Sequence, residues 1–173
     1  MKHLLNKEFI SIDLETLSTH QNASIVSIGA VKFTINEGLK EEFTINITPK
    51  SSVDFGLHLE KSTIEFWMKQ PKEISDKWKE NPVSLPDALI AFNVWLGDCE
   101  KSLLLANGSV FDFGILRSSY EVTKIKRPWP YWAEIDLRTI SILLDVKLSK
   151  GNYHTSLGDA KNQAQQFINL FKE

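Results

Sequence analysis

Two carboxylates stand close together near the start of the chain. Asp13 and Glu15 follow the apolar run Phe9-Ile10-Ser11-Ile12, whose composition is typical of a buried β-strand. Side chains two positions apart on a strand lie on one face of the sheet. Two like charges at that separation raise each other's pKa unless a cation lies between them. The pair therefore indicates a divalent metal site, although a strand that simply ends in solvent is the more ordinary explanation of an isolated Asp-x-Glu.

Two further acids and a histidine lie where later elements begin. Asp112 falls in the first turn of a helix predicted over residues 110–120, and Asp159 in the first turn of a helix predicted over residues 157–171. His154 precedes Asp159 by five positions, in a loop. Each residue also has an ordinary explanation, because first-turn carboxylates stabilise helices and most loop histidines are surface residues. The chemical interpretation depends on all of them meeting at one place.

The strand pattern predicts a sheet that would bring them together. Three strands with short connections, at residues 9–16, 23–33 and 41–47, predict an antiparallel meander. The apolar run at residues 102–106 is followed by a helix, so we expect this strand to be parallel to the first, with a last short strand at Ile135-Asp136. The expected fold class is α/β, with a mixed five-stranded sheet of three antiparallel and then two parallel strands, flanked by helices.

Two helices are expected between the third and fourth strands. Residues 62–70 carry Ser62 and Glu65 in the spacing of a capping box and stop before a proline. Residues 84–97 carry apolar side chains at helical spacing and end on Gly97, a usual C-terminal stop.

Composition narrows the class of protein. The 173 residues suit a single domain spanning residues 1–173, and 20 Lys and Arg against 22 Asp and Glu give a net charge of −2. Such a balance offers no global attraction for nucleic acid, so a polyanionic partner must be held locally. A single cysteine excludes an internal disulfide, and no apolar run suits a signal peptide or a membrane span. We expect a cytoplasmic protein; the oligomeric state is not predicted.

In order and spacing, the acids and the histidine resemble the three motifs of the DEDDh 3′–5′ exonucleases, which have a ribonuclease-H-like fold. The motifs are Asp13-Leu14-Glu15, Phe111-Asp112, and His154 with Asp159. The resemblance covers nearly the whole chain. It looks closest to the phage-type exodeoxyribonuclease branch, itself similar to a small bacterial exoribonuclease branch, at residues 63–67, 107–116, 131–132 and 136–139. The resemblance implies an active enzyme of a bacterial or phage-infected cell.

The resemblance also implies a mechanism with two divalent metal ions. Four carboxylates without a cysteine suit Mg²⁺ or Mn²⁺ rather than a zinc thiolate site. By resemblance, Asp13 would bridge both ions, and Glu15 and Asp159 would serve the ion that activates water. Asp112 would help to hold the second ion, partly through water. His154 would be the general base that takes the proton of the attacking water.

Contacts to the substrate are expected beside the metal site. The resemblance places the backbone around Thr16 and the side chain of Leu17 against the terminal nucleotide, and adds Asn107 and His154 as substrate-binding residues. Trp129 and Trp132 are candidates for stacking on bases, with basic residues beside them to follow phosphates: Lys124, Lys126 and Arg127. The remaining tryptophans are expected in the core: Trp67, Trp78 and Trp95. Asp136 and Arg138 are expected to form a buried structural pair outside the metal site.

The predicted function is removal of 5′-mononucleotides from the 3′ end of single-stranded DNA. An exoribonuclease that trims RNA 3′ ends is the alternative within the enzyme class, because metal-site motifs do not distinguish the two sugars. An alternative from a different class is a non-catalytic module that binds nucleic-acid ends. The intact acids argue against that module, since an uncompensated carboxylate cluster repels phosphates.

Overall fold

Five strands form one mixed sheet in the computed structural model, which describes residues 4–149 and 154–172. They are β1 (Phe9–Thr16), β2 (Ile25–Thr34), β3 (Gly38–Asn46), β4 (Leu103–Ala106) and β5 (Glu134–Asp136). The sheet order is β3-β2-β1-β4-β5. β2 pairs with β1 and β3 antiparallel, whereas β4 pairs with β1 and β5 parallel. The predicted fold class and strand directions are confirmed.

Helices cover both faces of this sheet. They are α1 (Pro49–Asp54), α2 (Lys61–Met68), α3 (Lys72–Lys77), α4 (Leu85–Leu96), α5 (Ser109–Thr123), α6 (Leu137–Leu143) and α7 (Ser156–Phe171). The sequence did not predict α1 and α3, because helices of six residues are too short to show a hydrophobic period. Within the described part of the chain, no helix is long and apolar enough to span a membrane.

The alternation of β1 sends its residues into two different layers. Ile10 and Ile12 lie in the core beneath α4 and α5, whereas Phe9 packs against Phe33 and Phe167 in the core under α7. Since side chains alternate along a strand, Asp13 shares the α7 side of the sheet with Phe9. The alternation of β1 thus places Asp13 and Glu15 on the side of the sheet that α7 covers, and Asp159 lies in the first turn of that helix.

Gly29 allows α7 to approach the sheet at this point. It pairs with Asp13 across β1 and β2, and a Cβ there would lie 2.1 Å from the backbone nitrogen of Leu157. No real Cβ approaches backbone atoms that closely. The first turn of α7, and with it Asp159, can lie beside β1 only because this residue has no side chain.

We expect Gly29→Ala to displace the first turn of α7 and to lower the free energy of unfolding by about 2–3 kcal/mol, the upper range for overpacking. Chemical denaturation measures this change. Gly114→Ala is the matched control, because the atoms nearest its new Cβ belong to the movable side chain of Gln21. An equal change in the two variants would contradict the close approach of α7.

The capping box predicted for α2 is wrong. The helix begins at Lys61, one residue earlier than Ser62, and within the described residues no side chain caps it. Its N-cap residue, Glu60, instead accepts hydrogen bonds from the backbone nitrogen of Thr19 and from the hydroxyl of Thr63. This carboxylate ties the segment after β1 to the start of α2, a contact that the local sequence pattern does not reveal.

Candidate active site

Three of the predicted acids meet on the α7 side of the sheet. Asp13 and Glu15 come from the end of β1, and Asp159 comes from the first turn of α7. One carboxylate oxygen from each lies within 4.8 Å of the others. Three oxygens at this spacing, supplied by β1 and α7, are arranged as hard ligands for a divalent cation.

Asp112 stands beside this cluster and is held by the backbone. It lies in the first turn of α5, is buried, and its Oδ1 accepts a hydrogen bond from the backbone nitrogen of Leu14 at 3.2 Å. Leu14 lies between Asp13 and Glu15 in β1. The structure therefore brings all four predicted acids to one place, with Asp112 on the side of β1 reached by α5.

A glutamine orients the central carboxylate. The side-chain nitrogen of Gln163 donates to Oδ1 of Asp13 at 2.7 Å, and the backbone nitrogen of Thr155 donates to Oδ2 of Asp159 at 3.2 Å. Sequence reasoning missed Gln163. Its signal was the four-residue spacing from Asp159, which places both side chains on one face of α7.

The acids resist ionisation together. Burial, reinforced by Asp112, Glu15 and Asp159, raises the pKa of Asp13 well above its usual range. Burial and the charges of Asp159 and Asp112 raise the pKa of Glu15 to about 8. Burial raises the pKa of Asp112 to about 7. Burial also raises the pKa of Asp159, although the hydrogen bond from the backbone nitrogen of Thr155 and the charge of His154 oppose this shift. Such a cluster is stable as anions only with a cation, so the residues fit divalent metal ions.

We expect the metal-free protein to lose thermal stability as pH rises from about 5 to 8. Folded Glu15 and Asp112 keep protons up to about 8 and about 7, whereas unfolded carboxyls lose theirs near 4. The folded state binds more protons across this window, so its free energy of unfolding decreases as pH rises through the folded pKa values.

Melting curves in chelator and in Mn²⁺ measure this effect. Mn²⁺ should raise the melting temperature more at pH 8 than at pH 5, because at pH 8 the cation neutralises carboxylates that have lost their protons. A melting temperature in chelator that rises across the window, or one that Mn²⁺ leaves unchanged at pH 8, would contradict the carboxylate cluster.

His154 lies at the edge of the cluster. The side chain is exposed, and together with Asp13 and Asp159 it lines a cavity of about 650 Å³ between α6 and α7. Its backbone φ is 40°, in the left-handed region that non-glycine residues rarely adopt. The structure thus places the histidine beside the acids, as the spacing of the sequence predicted.

The predicted substrate contacts divide between two cavities. Thr16 lines a smaller cavity of about 350 Å³ together with Glu15, Phe66 and Phe111, whereas Asn107 lines the cavity of about 650 Å³. The backbone oxygen of Thr16 accepts a hydrogen bond from the indole of Trp67 at 2.8 Å. Leu17 lines neither cavity, and its contact with the terminal nucleotide stays a prediction.

The prediction that Trp129 stacks on bases is wrong. Its side chain is only 2% exposed, and its indole nitrogen donates to Glu134. Arg127 pairs with the same carboxylate at 2.9 Å and covers the Trp129 ring, so its role is structural. Trp132 is 68% exposed, but it precedes β5 and lies at the end of the sheet opposite the acids. The tryptophans expected in the core are only half-buried: Trp67, Trp78 and Trp95.

Asp136 is structural, as predicted, but its partners differ from the prediction. Its carboxylate accepts hydrogen bonds from the backbone nitrogens of Gly108, Ser109 and Thr139, and so caps α6 and holds the start of α5. No ion pair joins it to Arg138 in the described ranges. Three backbone donors satisfy the carboxylate, and the guanidinium of Arg138 is left exposed.

Comparison with known folds agrees with this architecture. The nuclease domain of 3′hExo, a DEDDh family member solved bound to rAMP, superimposes with a TM-score of 0.69 at 17% identity, covering 96% of this chain and 92% of that one. Exonuclease I of E. coli in complex with a dA16 oligonucleotide superimposes with a TM-score of 0.67 at 13% identity, covering 96% of this chain and 42% of that one. Pop2p of S. pombe, with Mg²⁺ and Mn²⁺ bound, superimposes with a TM-score of 0.59 at 15% identity, covering 93% of this chain and 81% of that one.

Sequence comparison supplies the family. No curated protein matches the chain significantly. Residues 8–171 match the family model of the Rv2179c-like 3′-5′ exoribonuclease domain. This match favours an enzyme over a non-catalytic binding module. The chain therefore belongs to the Rv2179c-like family and is a 3′–5′ exonuclease.

Proposed function

We propose that this exonuclease removes 5′-mononucleotides from the free 3′ end of single-stranded DNA, with two Mg²⁺ or Mn²⁺ ions held by its four acids: Asp13, Glu15, Asp112 and Asp159. The observation that carries the proposal is the meeting of three carboxylate oxygens within 4.8 Å, with a cavity on either side. DNA is favoured because the segment 63–67 looks closest to the exodeoxyribonuclease branch, and three of its residues line the smaller cavity: Thr63, Phe66 and Trp67.

The side chains divide the work of hydrolysis. When bound, the metal ions lower the pKa of the attacking water and neutralise charge on the phosphate. His154 accepts the proton of that water, a task suited to an imidazole near neutral pH. Gln163 fixes the carboxylate of Asp13, and the backbone nitrogen of Thr155 fixes that of Asp159, so both keep their orientation as charge shifts.

The smaller cavity suits the terminal nucleotide. It is lined by Glu15 and Thr16 on one side and by the rings of Phe66 and Phe111 on another. Aromatic faces stack on any base, at about 1–3 kcal/mol for each base, so they recognise an end without reading its sequence. The volume of about 350 Å³ is of the size that one nucleoside requires, rather than a stretch of strand.

Single-stranded RNA is the second candidate substrate. The family model that the chain matches is described as an exoribonuclease domain, which supports ribose at the 3′ end. The four acids and His154 are equally suited to both backbones, since they act on the phosphate. Contacts to the 2′-hydroxyl near the end decide the preference.

Four 5′-labelled oligonucleotides of one sequence test the substrate. They are all DNA, all RNA, DNA with one terminal ribonucleotide, and RNA with one terminal deoxynucleotide. We expect kcat/KM at least about ten-fold higher for DNA, a difference of about 1.4 kcal/mol in transition-state binding. A ten-fold preference for RNA would reverse the assignment. The two chimaeras show whether the enzyme distinguishes the substrates by the terminal sugar alone. The Asp13→Asn variant controls for contaminating nucleases.

A further inference from the structure

Arg138 is a cation at an acidic site, and among the described residues its side chain makes a single hydrogen bond. It is the second residue of α6, and its side chain is exposed. Its Nη2 donates to the backbone oxygen of Asn107 at 3.3 Å, and the guanidinium lies 3.5–3.9 Å from the position of a Cβ on Gly108. The side chain therefore crosses the turn between β4 and α5. One of its five N–H donors is used there.

The nearby acids do not occupy this guanidinium. Asp136, two residues earlier, accepts from three backbone nitrogens, and the described part of the chain contains no ion pair to Arg138. A planar guanidinium with free donors matches the oxygens of a phosphate. The position of Arg138 thus provides a fixed positive charge beside a cluster of carboxylates.

The cavity that Arg138 lines suits a nucleic-acid strand. Asp13, Asp159 and His154 line one part of its wall, and Arg138 and Lys147 line another. The side-chain oxygens of Asn107 and Gln166 are buried and lack a hydrogen-bond partner within the described residues, and both residues line this cavity. Carboxamides with free hydrogen-bonding capacity suit the polar edge of a base.

The two cavities flank the carboxylate cluster from different sides. Glu15 lines the cavity of about 350 Å³, whereas Asp13 and Asp159 line the cavity of about 650 Å³. The smaller has an aromatic wall and no basic residue. The larger is nearly twice the volume and carries both cations. A bond cleaved at the acids would therefore have the departing nucleotide in the smaller cavity and the retained strand in the larger.

We propose that Arg138 binds the phosphate on the 5′ side of the one that is cleaved, in the cavity between α6 and α7. This assignment rests on the proposed function. Arg138 would hold the strand so that the terminal phosphodiester reaches the acids, and is a positioning residue.

A neutral phosphate tests the assignment. A methylphosphonate replaces the phosphate one position 5′ of the cleaved bond, and kcat/KM is measured with the wild type and with Arg138→Met. We expect each change alone to lower kcat/KM about ten- to a hundred-fold, in the range of lost charge-assisted hydrogen bonds. Together they should lower it little more than either alone, because both remove the same contact. The salt dependence of log kcat/KM should fall by about 0.7 in slope for Arg138→Met, as for one lost phosphate contact on a single strand.

Controls separate this inference from the proposed function. Arg117→Met is the matched control, since Arg117 pairs with Glu134, which keeps Arg127 as a second partner. It should leave the effect of the methylphosphonate unchanged. Arg138→Met should also retain the melting-temperature increase caused by Mn²⁺. If the methylphosphonate lowers kcat/KM by the same factor in Arg138→Met as in the wild type, the two losses are additive. That result would overturn the phosphate contact while leaving the exonuclease assignment intact. A wild type that degrades no substrate would instead overturn the proposed function.

Discussion

Asp13→Asn is expected to lower turnover by at least about three orders of magnitude while raising the melting temperature of the metal-free protein at pH 8. The loss follows because Asp13 lies in the group of acids that would hold both ions, and their charge stabilisation supplies several kcal/mol to the transition state. The gain in stability follows because burial and three neighbouring acids raise the pKa of Asp13, so its ionised form destabilises the folded protein.

Single-turnover rates with excess enzyme and melting curves in chelator measure the two effects. Asp54→Asn is the matched control, because Asp54 is exposed and pairs only with Lys50 in the described contacts. It should change neither quantity appreciably. An Asp13→Asn variant that keeps a tenth of the turnover would show that Asp13 is not a metal ligand. One with reduced stability at pH 8 would show that the carboxylate is not under electrostatic strain.

His154→Ala is expected to lower turnover by about two to four orders of magnitude and to leave metal binding unchanged. The residue is exposed and lines the cavity beside Asp13 and Asp159, so its removal deletes a proton acceptor without disturbing the core. General bases contribute about 10²- to 10⁴-fold. The variant should retain the Mn²⁺-dependent increase in melting temperature and a similar KM.

The pH profile distinguishes a base from a structural residue. The acidic limb of log kcat against pH reports the group that must lose a proton, and it should flatten in His154→Ala. Added imidazole should restore part of the turnover. Unchanged turnover in the variant would remove the histidine from the mechanism, and loss of the Mn²⁺ effect would assign it to metal binding.

The sequence predicted most of the site because its acids occupy positions with strong local rules. Alternation along β1 places Asp13 and Glu15 on one face, and first-turn positions place Asp112 and Asp159 at helix starts. Because β4 is parallel to β1, the helix α5 that follows β4 begins at the same edge of the sheet as the end of β1, and Asp112 lies in its first turn. These rules place the four side chains from spacing alone, whereas the roles of the acids as metal ligands rest on the resemblance and stay predictions.

The errors arose where a contact joins distant segments. Trp129 is a stacking candidate from its loop of aromatic and basic residues, yet Phe92 of α4 and Tyr120 of α5 pack against it in the core. Asp136 is expected to pair with Arg138, but the backbone nitrogens of Gly108 and Ser109, at the start of α5, donate to its carboxylate. Local spacing does not imply these contacts, because only the folded sheet brings α4 and α5 beside the segment that carries Trp129 and Asp136.

We infer that the carboxylate cluster makes this chain a metal-dependent enzyme that acts from the 3′ end. A time course tests this inference on two copies of one single-stranded oligonucleotide, labelled at the 5′ or at the 3′ end, with Mg²⁺, with Mn²⁺ and with chelator. We predict a ladder of shortening products from the 5′-labelled copy and labelled mononucleotide from the other, both abolished by chelator and restored by excess metal. Degradation that persists in chelator would show that the enzyme needs no metal ion, and mononucleotide released first from the 5′ end would show the opposite polarity.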